Sequence, residues 1–171
     1  MKSPKNILVP IDRSMFSLSA LQYAEEIAKL FQAEISIVHV VDHTPQGKEV
    51  VKDAEDLLYH NVIEEQRRVL ISHLLVEYGL VPQSIKILIR HGSPSKEIVR
   101  TAADIHADLI VMSTHGRTGL RHVALGSVAE RVVRTALCPV LTIKPDEFRE
   151  LITMTEDDVT NSLHLSGWSD S

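Results

Sequence analysis

One cysteine, Cys138, is all the thiol chemistry in 171 residues, so no internal disulfide can form and a disulfide-framed secreted fold is excluded. A reducing compartment is the expected home, and the cytoplasm the expected location. Long apolar runs are missing too. After Lys2 and Lys5 the run Ile7 to Ile11 is too short for a signal-peptide core, and nothing approaches the ~20 apolar residues of a membrane helix. An excess of basic charge is also missing. Residues 146–171 hold seven acids against Arg149, a balance of −6, so the first 145 residues sum to +1 of a net −5. No broad basic face exists to hold a nucleic acid duplex. No G-x-x-x-x-G-K-[ST] loop, G-x-S-x-G elbow or CxxC pair occurs, and the nine histidines show no zincin spacing, so catalysis and metal binding have little support.

What is present is an alternation of short apolar runs with longer helical periods. Ile7–Ile11 predicts a buried strand. Ser14–Phe31 follows with Leu18, Leu21, Ala24, Ala28 and Phe31 at helical spacing, and Glu34–Val41 is a second strand rich in β-branched residues. Pro45 and Gly47 mark a loop. Asp53–Tyr78 predicts a long helix on which Leu58, Val62, Val69 and Val76 share the apolar face, with Gly79 ending it. Ser84–Arg90 is a third strand. Ser93-Pro94 opens a helix to about Ala107 with Ile98, Ala102 and Ile105 inward. Leu109–Met112 is a fourth strand, Gly126 to about Ala136 a helix, and Pro139–Ile143 a fifth strand. Cys138, just ahead of it, is expected to be a buried small hydrophobe, and His39 on the second strand a satisfied core histidine.

Continuous apolar strands separated by helices predict an α/β fold: a doubly wound, five-stranded parallel sheet of order 3-2-1-4-5 with helices on both faces. Residues 1–145 form this domain, and 146–171 an acidic extension. The extension is a partly ordered tail or packs on a partner subunit through Trp168, the only tryptophan. In such sheets ligands bind outside the carboxyl ends of the strands, at the switch point. That directs attention to the turn from Pro10 to Ser14 and to the loop from Ser113 to Ser127.

The second of these reads STHGRTGLRHVALGS and ends where a helix begins. Helix N-termini present unpaired N–H groups and a positive dipole end, and glycine lets a phosphate approach the backbone. Composition alone leaves a phosphate loop and an ordinary glycine-capped connection equally open. His115 and His122, seven apart in this loop, read as phosphate-adjacent or solvated.

The same segment resembles the G-x2-G-x9-G-[S/T] signature of the ATP-binding branch of universal stress proteins, with Gly116, nine residues, then Gly126-Ser127; the first glycine is replaced by Ser113. The opening ILVPID, the HVVD that closes strand two, and the ending GSVAERVVRTALCPVLTIKP are similar to that family as well. The resemblance covers about residues 4 to 145. It implies ATP as the ligand, with AMP or ADP as alternatives and Mg²⁺ carried through the phosphates. It places Asp12 on the adenine edge, Pro10 and Ile11 around that pocket, and the Val40 backbone against the base. Ser113 and Gly116 would lie along ribose and phosphates, and Gly126, Ser127 and Val128 would cradle the phosphates. Met112, His115 and Arg117 complete the implied set. The alternative for Asp12 is a turn or N-cap acid. A serine at position 113 costs on the order of 1 kcal/mol if positive φ is needed there, whereas its hydroxyl can bond a ribose hydroxyl.

The resemblance also implies a homodimer through strand five (Val140, Leu141, Thr142, Ile143), while the charge balance and the short apolar runs predict no nucleic acid and no membrane as partners. Three functions remain open: a nucleotide-dependent regulatory protein of stress response, a weak ATPase using His115 or Arg117 to position water, and an interaction module with a vestigial pocket.

Overall fold

The computed structural model describes residues 3–12, 14–42, 54–77, 79, 85–114 and 125–144, with the backbone alone at 15 and 54–60. The elements are β1 (Asn6–Pro10), α1 (Met15–Phe31), β2 (Glu34–Val41), α2 (Ala54–Glu77), β3 (Lys86–His91), α3 (Pro94–Asp104), β4 (Leu109–Ser113), α4 (Ser127–Thr135) and β5 (Val140–Ile143). All pairings are parallel and the sheet order is β3-β2-β1-β4-β5, as the apolar strand pattern predicts. The 146–171 extension lies outside the described residues.

Each strand alternates between two apolar layers. Ile7, Val9, Ile35, Ile37, Ile87, Ile89 and Val111 face one side, where Ala20, Leu21, Ala24 and Ala28 of α1 and Ile71 and Leu75 of α2 cover them. Leu8, Val38, Ile110 and Met112 face the other, under Ile98 and Ala102 of α3 and Ala129 and Val132 of α4. Both faces of the central strands are thus covered, which is why β1 and β4 carry no polar alternation, whereas the edge strand β3 sets Lys86 and Arg90 beside buried Ile87 and Ile89. At the amino edge, one carboxylate oxygen of Asp108 accepts from the Lys5 and Asn6 N–H groups at 2.9 and 3.0 Å, fixing β1 beside β4.

The long helix packs differently from its sequence pattern. Val62, Val69 and Val76 do share a face, but they are 47%, 47% and 62% exposed, while Ile71 and Leu75 are 1% and 0%. Successive residues turn by about 100°, so the valine stripe lies roughly opposite the two residues that meet the sheet. Periodicity alone gives two apolar faces on α2, and only packing against β3 selects between them. Gly79 ends the region as expected, at φ +72 with its N–H bonded to the Val76 carbonyl at 3.0 Å.

Helix α3 is shorter than predicted because His106 adopts φ 51 and turns the chain before Ala107, whose N–H returns to the Ala102 carbonyl at 2.8 Å. A left-handed histidine gives no stop signal of the glycine kind. Ser93 stands at the α3 N-cap ahead of Pro94 as predicted, yet its side chain makes no capping bond. Cys138 is half-buried against the α3/α4 layer. Burial raises its thiol pKa above the ordinary value, a hydrogen bond from its own backbone opposes this, and the Asp108 charge adds to the rise. No described helix is long and apolar enough to cross a membrane.

Candidate functional site

Strand order turns at β1. The chain builds β2 and β3 outward on one side and then crosses to lay β4 on the other, so the carboxyl ends of β2, β1 and β4 are neighbours. Pro10, Ile11, Asp12, Val40, Met112, Ser113, Gly126, Ser127 and Val128 all fall on this edge, at strand ends or the start of α4. Of the other candidates, His115, Gly116 and Arg117 lie outside the described residues.

At the end of β1, the Ile11 N–H donates to the Val38 carbonyl at 2.9 Å, and its own carbonyl lies 2.7 Å from His39 Nδ1. A carbonyl only accepts, so Nδ1 carries the proton. The Ile11 side chain is buried in the core under α1. Asp12 is half-buried, and its Oδ1 accepts from the Ser14 N–H at 3.0 Å and from the Ser14 hydroxyl at 2.6 Å. Ser14 Oγ in turn accepts from the Ser17 N–H at 3.2 Å and caps α1. The turn role considered for Asp12 is therefore occupied, and it leads straight into the helix.

Backbone direction decides what Val40 can offer. Odd residues of β2 point their polar groups at β3, since the Val41 carbonyl takes the Gly92 N–H at 3.1 Å. Even residues point at β1, as the Val38 carbonyl does. The ladder with β1 reaches Pro10 opposite Val38 and closes with the Ile11 bond. The N–H and C=O of Val40 therefore open just past the end of β1.

At the end of β4, Met112, Ser113 and Thr114 are all buried. Ser113 pairs in register with Ile143 of β5. Among the described non-glycine residues only Gln32 and His106 have positive φ, so serine is accommodated at 113 without backbone strain. The Thr114 N–H donates to the Ile143 carbonyl at 3.0 Å, and the Thr114 carbonyl accepts from the Gly126 N–H at 2.7 Å. That last bond fastens the N-cap of α4 to the end of β4. Gly126 sits at φ −65, ψ 152, a conformation open to any residue, and among the described residues no side chain caps the helix. What glycine supplies here is the absence of a Cβ over the helix entrance. Ser127 is exposed and Val128 half-buried on the α3/α4 layer. Thr114, Ser14 and His39 join the candidates on this edge; none belongs to a glycine signature, and it is three-dimensional contact that marks them.

The family model of the universal stress protein family matches residues 4–144. The chain belongs to the universal stress protein family. Among its relatives, Universal stress protein MJ0531 of Methanocaldococcus jannaschii is 40% identical over 142 residues, covering 82% of each chain. The solved structure of MJ0577 superposes with a TM-score of 0.65 at 32% identity, covering 84% of this chain and 98% of that one. UspA of Lactobacillus plantarum superposes at 0.59 with 29% identity, over 84% and 99% of the two chains. A universal stress protein solved in complex with cAMP shares the fold at 24% identity and a TM-score of 0.53, over 83% of this chain and 98% of its own.

Proposed function

We propose that this universal stress protein binds an adenine nucleotide, ATP in first place, at the carboxyl edge between β1 and β4, and acts as a nucleotide-dependent regulatory dimer. The observation that carries the proposal is the entrance of α4, with a glycine at its N-cap, no capping side chain among the described residues, and an anchor to the Thr114 carbonyl. An uncapped helix start with its N–H groups open to one side is a phosphate site by its own electrostatics. Asp12 and the Val40 backbone, on the same edge, supply the acceptor and donor that a purine edge needs, and Mg²⁺ would arrive on the phosphates. The cAMP complex of a family member with this fold supports an adenine nucleotide as a ligand the fold can hold.

Titration calorimetry of ATP, with and without Mg²⁺, into wild type and Gly126→Val tests this. Micromolar binding that the substitution removes is expected, because a branched Cβ then stands over the phosphate. An absence of binding to nucleotide-free wild type would overturn the proposal. Dimerisation is assigned to β5, an edge strand paired on one side by β4, with Leu141 37% exposed and nearby Leu137 91% exposed. Unpaired edges are normally covered, and a second copy of the same strand satisfies both the backbone and the leucines. Light scattering at micromolar concentration should report a dimer, and Leu141→Glu a monomer; a wild-type monomer would refute the assignment.

A further inference from the structure

We propose that His39 is a positioning residue that stops the β1–β2 ladder one bond early and so keeps the Val40 amide open to the ligand. This deepens the nucleotide reading and rests on it for the identity of that ligand. In a parallel ladder each residue of one strand uses its N–H and its C=O on two positions of the other, two residues apart. Val38 does this across from Pro10, and its carbonyl takes the Ile11 N–H at 2.9 Å. The next rung is a bond from the Val40 N–H to the Ile11 carbonyl. That rung is not formed. The Ile11 carbonyl lies instead 2.7 Å from Nδ1 of His39, a side chain from the neighbouring position on the same strand.

The substitution of one donor for another has a clear physical result. A buried carbonyl needs a partner, and an imidazole N–H satisfies it as well as an amide does. With the carbonyl engaged, the ladder with β2 ends at the Ile11 bond, and Asp12 holds Ser14 at the cap of α1. His39 is 7% exposed and sits on the α1/α2 side of the sheet. Its hold on Ile11 is therefore out of reach of the solvent and of a ligand on the edge. Val40, with its side chain on the opposite face, keeps its backbone groups directed past the last β1–β2 bond. His39 touches no ligand in this scheme; it acts through Ile11 and Val40.

The test uses the full chain, free of nucleotide, as wild type, His39→Leu and His39→Asn. Asn carries an amide N–H close to where Nδ1 stands, and Leu carries none. Amide hydrogen exchange by NMR is read first. In wild type the Val40 amide should exchange readily and a proton should be seen on His39 Nδ1. In His39→Leu the released carbonyl captures the Val40 N–H, and exchange there should slow by about tenfold, the worth of one net hydrogen bond. His39→Asn should restore the wild-type rate. ATP titration is read second, with an affinity loss of about tenfold in His39→Leu and recovery in His39→Asn. A Val40 amide already protected in wild type, or unchanged by His39→Leu, overturns the proposal whether or not ATP binds. If wild type binds no ATP the nucleotide reading fails, and the exchange result still decides what His39 does.

Discussion

Asp12 carries two assignments, a turn-holding one seen in the structure and a base-reading one proposed for it, and Asp12→Asn separates them. Its Oδ1 accepts from the Ser14 N–H and hydroxyl at 3.0 and 2.6 Å, and Ser14 passes the order on to Ser17 and the start of α1. Hydrogen bonds to a charged acceptor contribute about 1.5–3 kcal/mol and neutral ones about 0.5–1.5. The site is half-buried, so the lower ends apply. Asn keeps an oxygen acceptor, and Ser14 obliges that oxygen to face it. Over the two bonds the net loss should be about 2 kcal/mol, a fall in Tm of about 4–8 °C for a chain of this size. The amide nitrogen must then occupy the place of the second carboxylate oxygen, presenting a donor to the adenine amino group, itself a donor. Affinity for ATP should drop by one to two orders of magnitude, about 1.5–3 kcal/mol. Asp12→Ala should lose both functions, with a Tm fall about half as large again. Calorimetric titration beside thermal melts gives both numbers from one preparation. If Asp12→Asn loses the few degrees of Tm and binds ATP like wild type, Asp12 is a turn residue alone and the base-reading assignment is wrong.

Neighbouring positions on α2 should behave in opposite ways. Leu75→Ala, at 0% exposure, should lose about 3–5 kcal/mol, whereas Val76→Ala, at 62%, should stay within about 0.5 kcal/mol in urea denaturation; comparable losses would put the valine stripe inside. Thr101 is fully buried with no partner for its hydroxyl among the described residues, so Thr101→Val should raise Tm by about 2–4 °C, the return of roughly 1 kcal/mol; a fall would mean that the hydroxyl is satisfied in solution. Burial raises the Cys138 thiol pKa and so favours its neutral form in the folded state. That contribution is full below the unfolded thiol pKa of about 8.5 and is lost as pH rises through the higher folded value. The stability difference between wild type and Cys138→Ala should accordingly narrow from pH 7 to pH 10, and a constant difference would contradict it.

Strand order and the two-faced covering were legible because runs such as Leu109–Met112 have no polar position, and a sheet sealed on both faces is the arrangement that tolerates this. The edge holding the site was legible for the same topological reason, and Gly126-Ser127 marked the entrance of α4 within it. Where the pattern misled, two solutions satisfied the same periodicity. On α2 the valines and the Ile71/Leu75 pair are both apolar stripes, and their order of burial depends on β3, which is distant in sequence. His106 and Ser14 escaped notice because a left-handed turn at histidine and a serine bracing an aspartate leave no composition signal. The ladder-stopping bond of His39 depends on the exit path of a different strand, which no local window contains.

The bond between the Thr114 carbonyl and the Gly126 N–H ties the end of β4 directly to the N-cap of α4, like a drawstring. Strand β4 and helix α4 are thereby spaced by their own contact and not by the chain between them. Lengthening a closed loop is inexpensive, about 0.6 kcal/mol for each doubling. The register of the sheet end and the helix entrance is then held by one backbone bond between residues twelve positions apart in the chain. Adding a few residues between positions 114 and 126 should cost little stability.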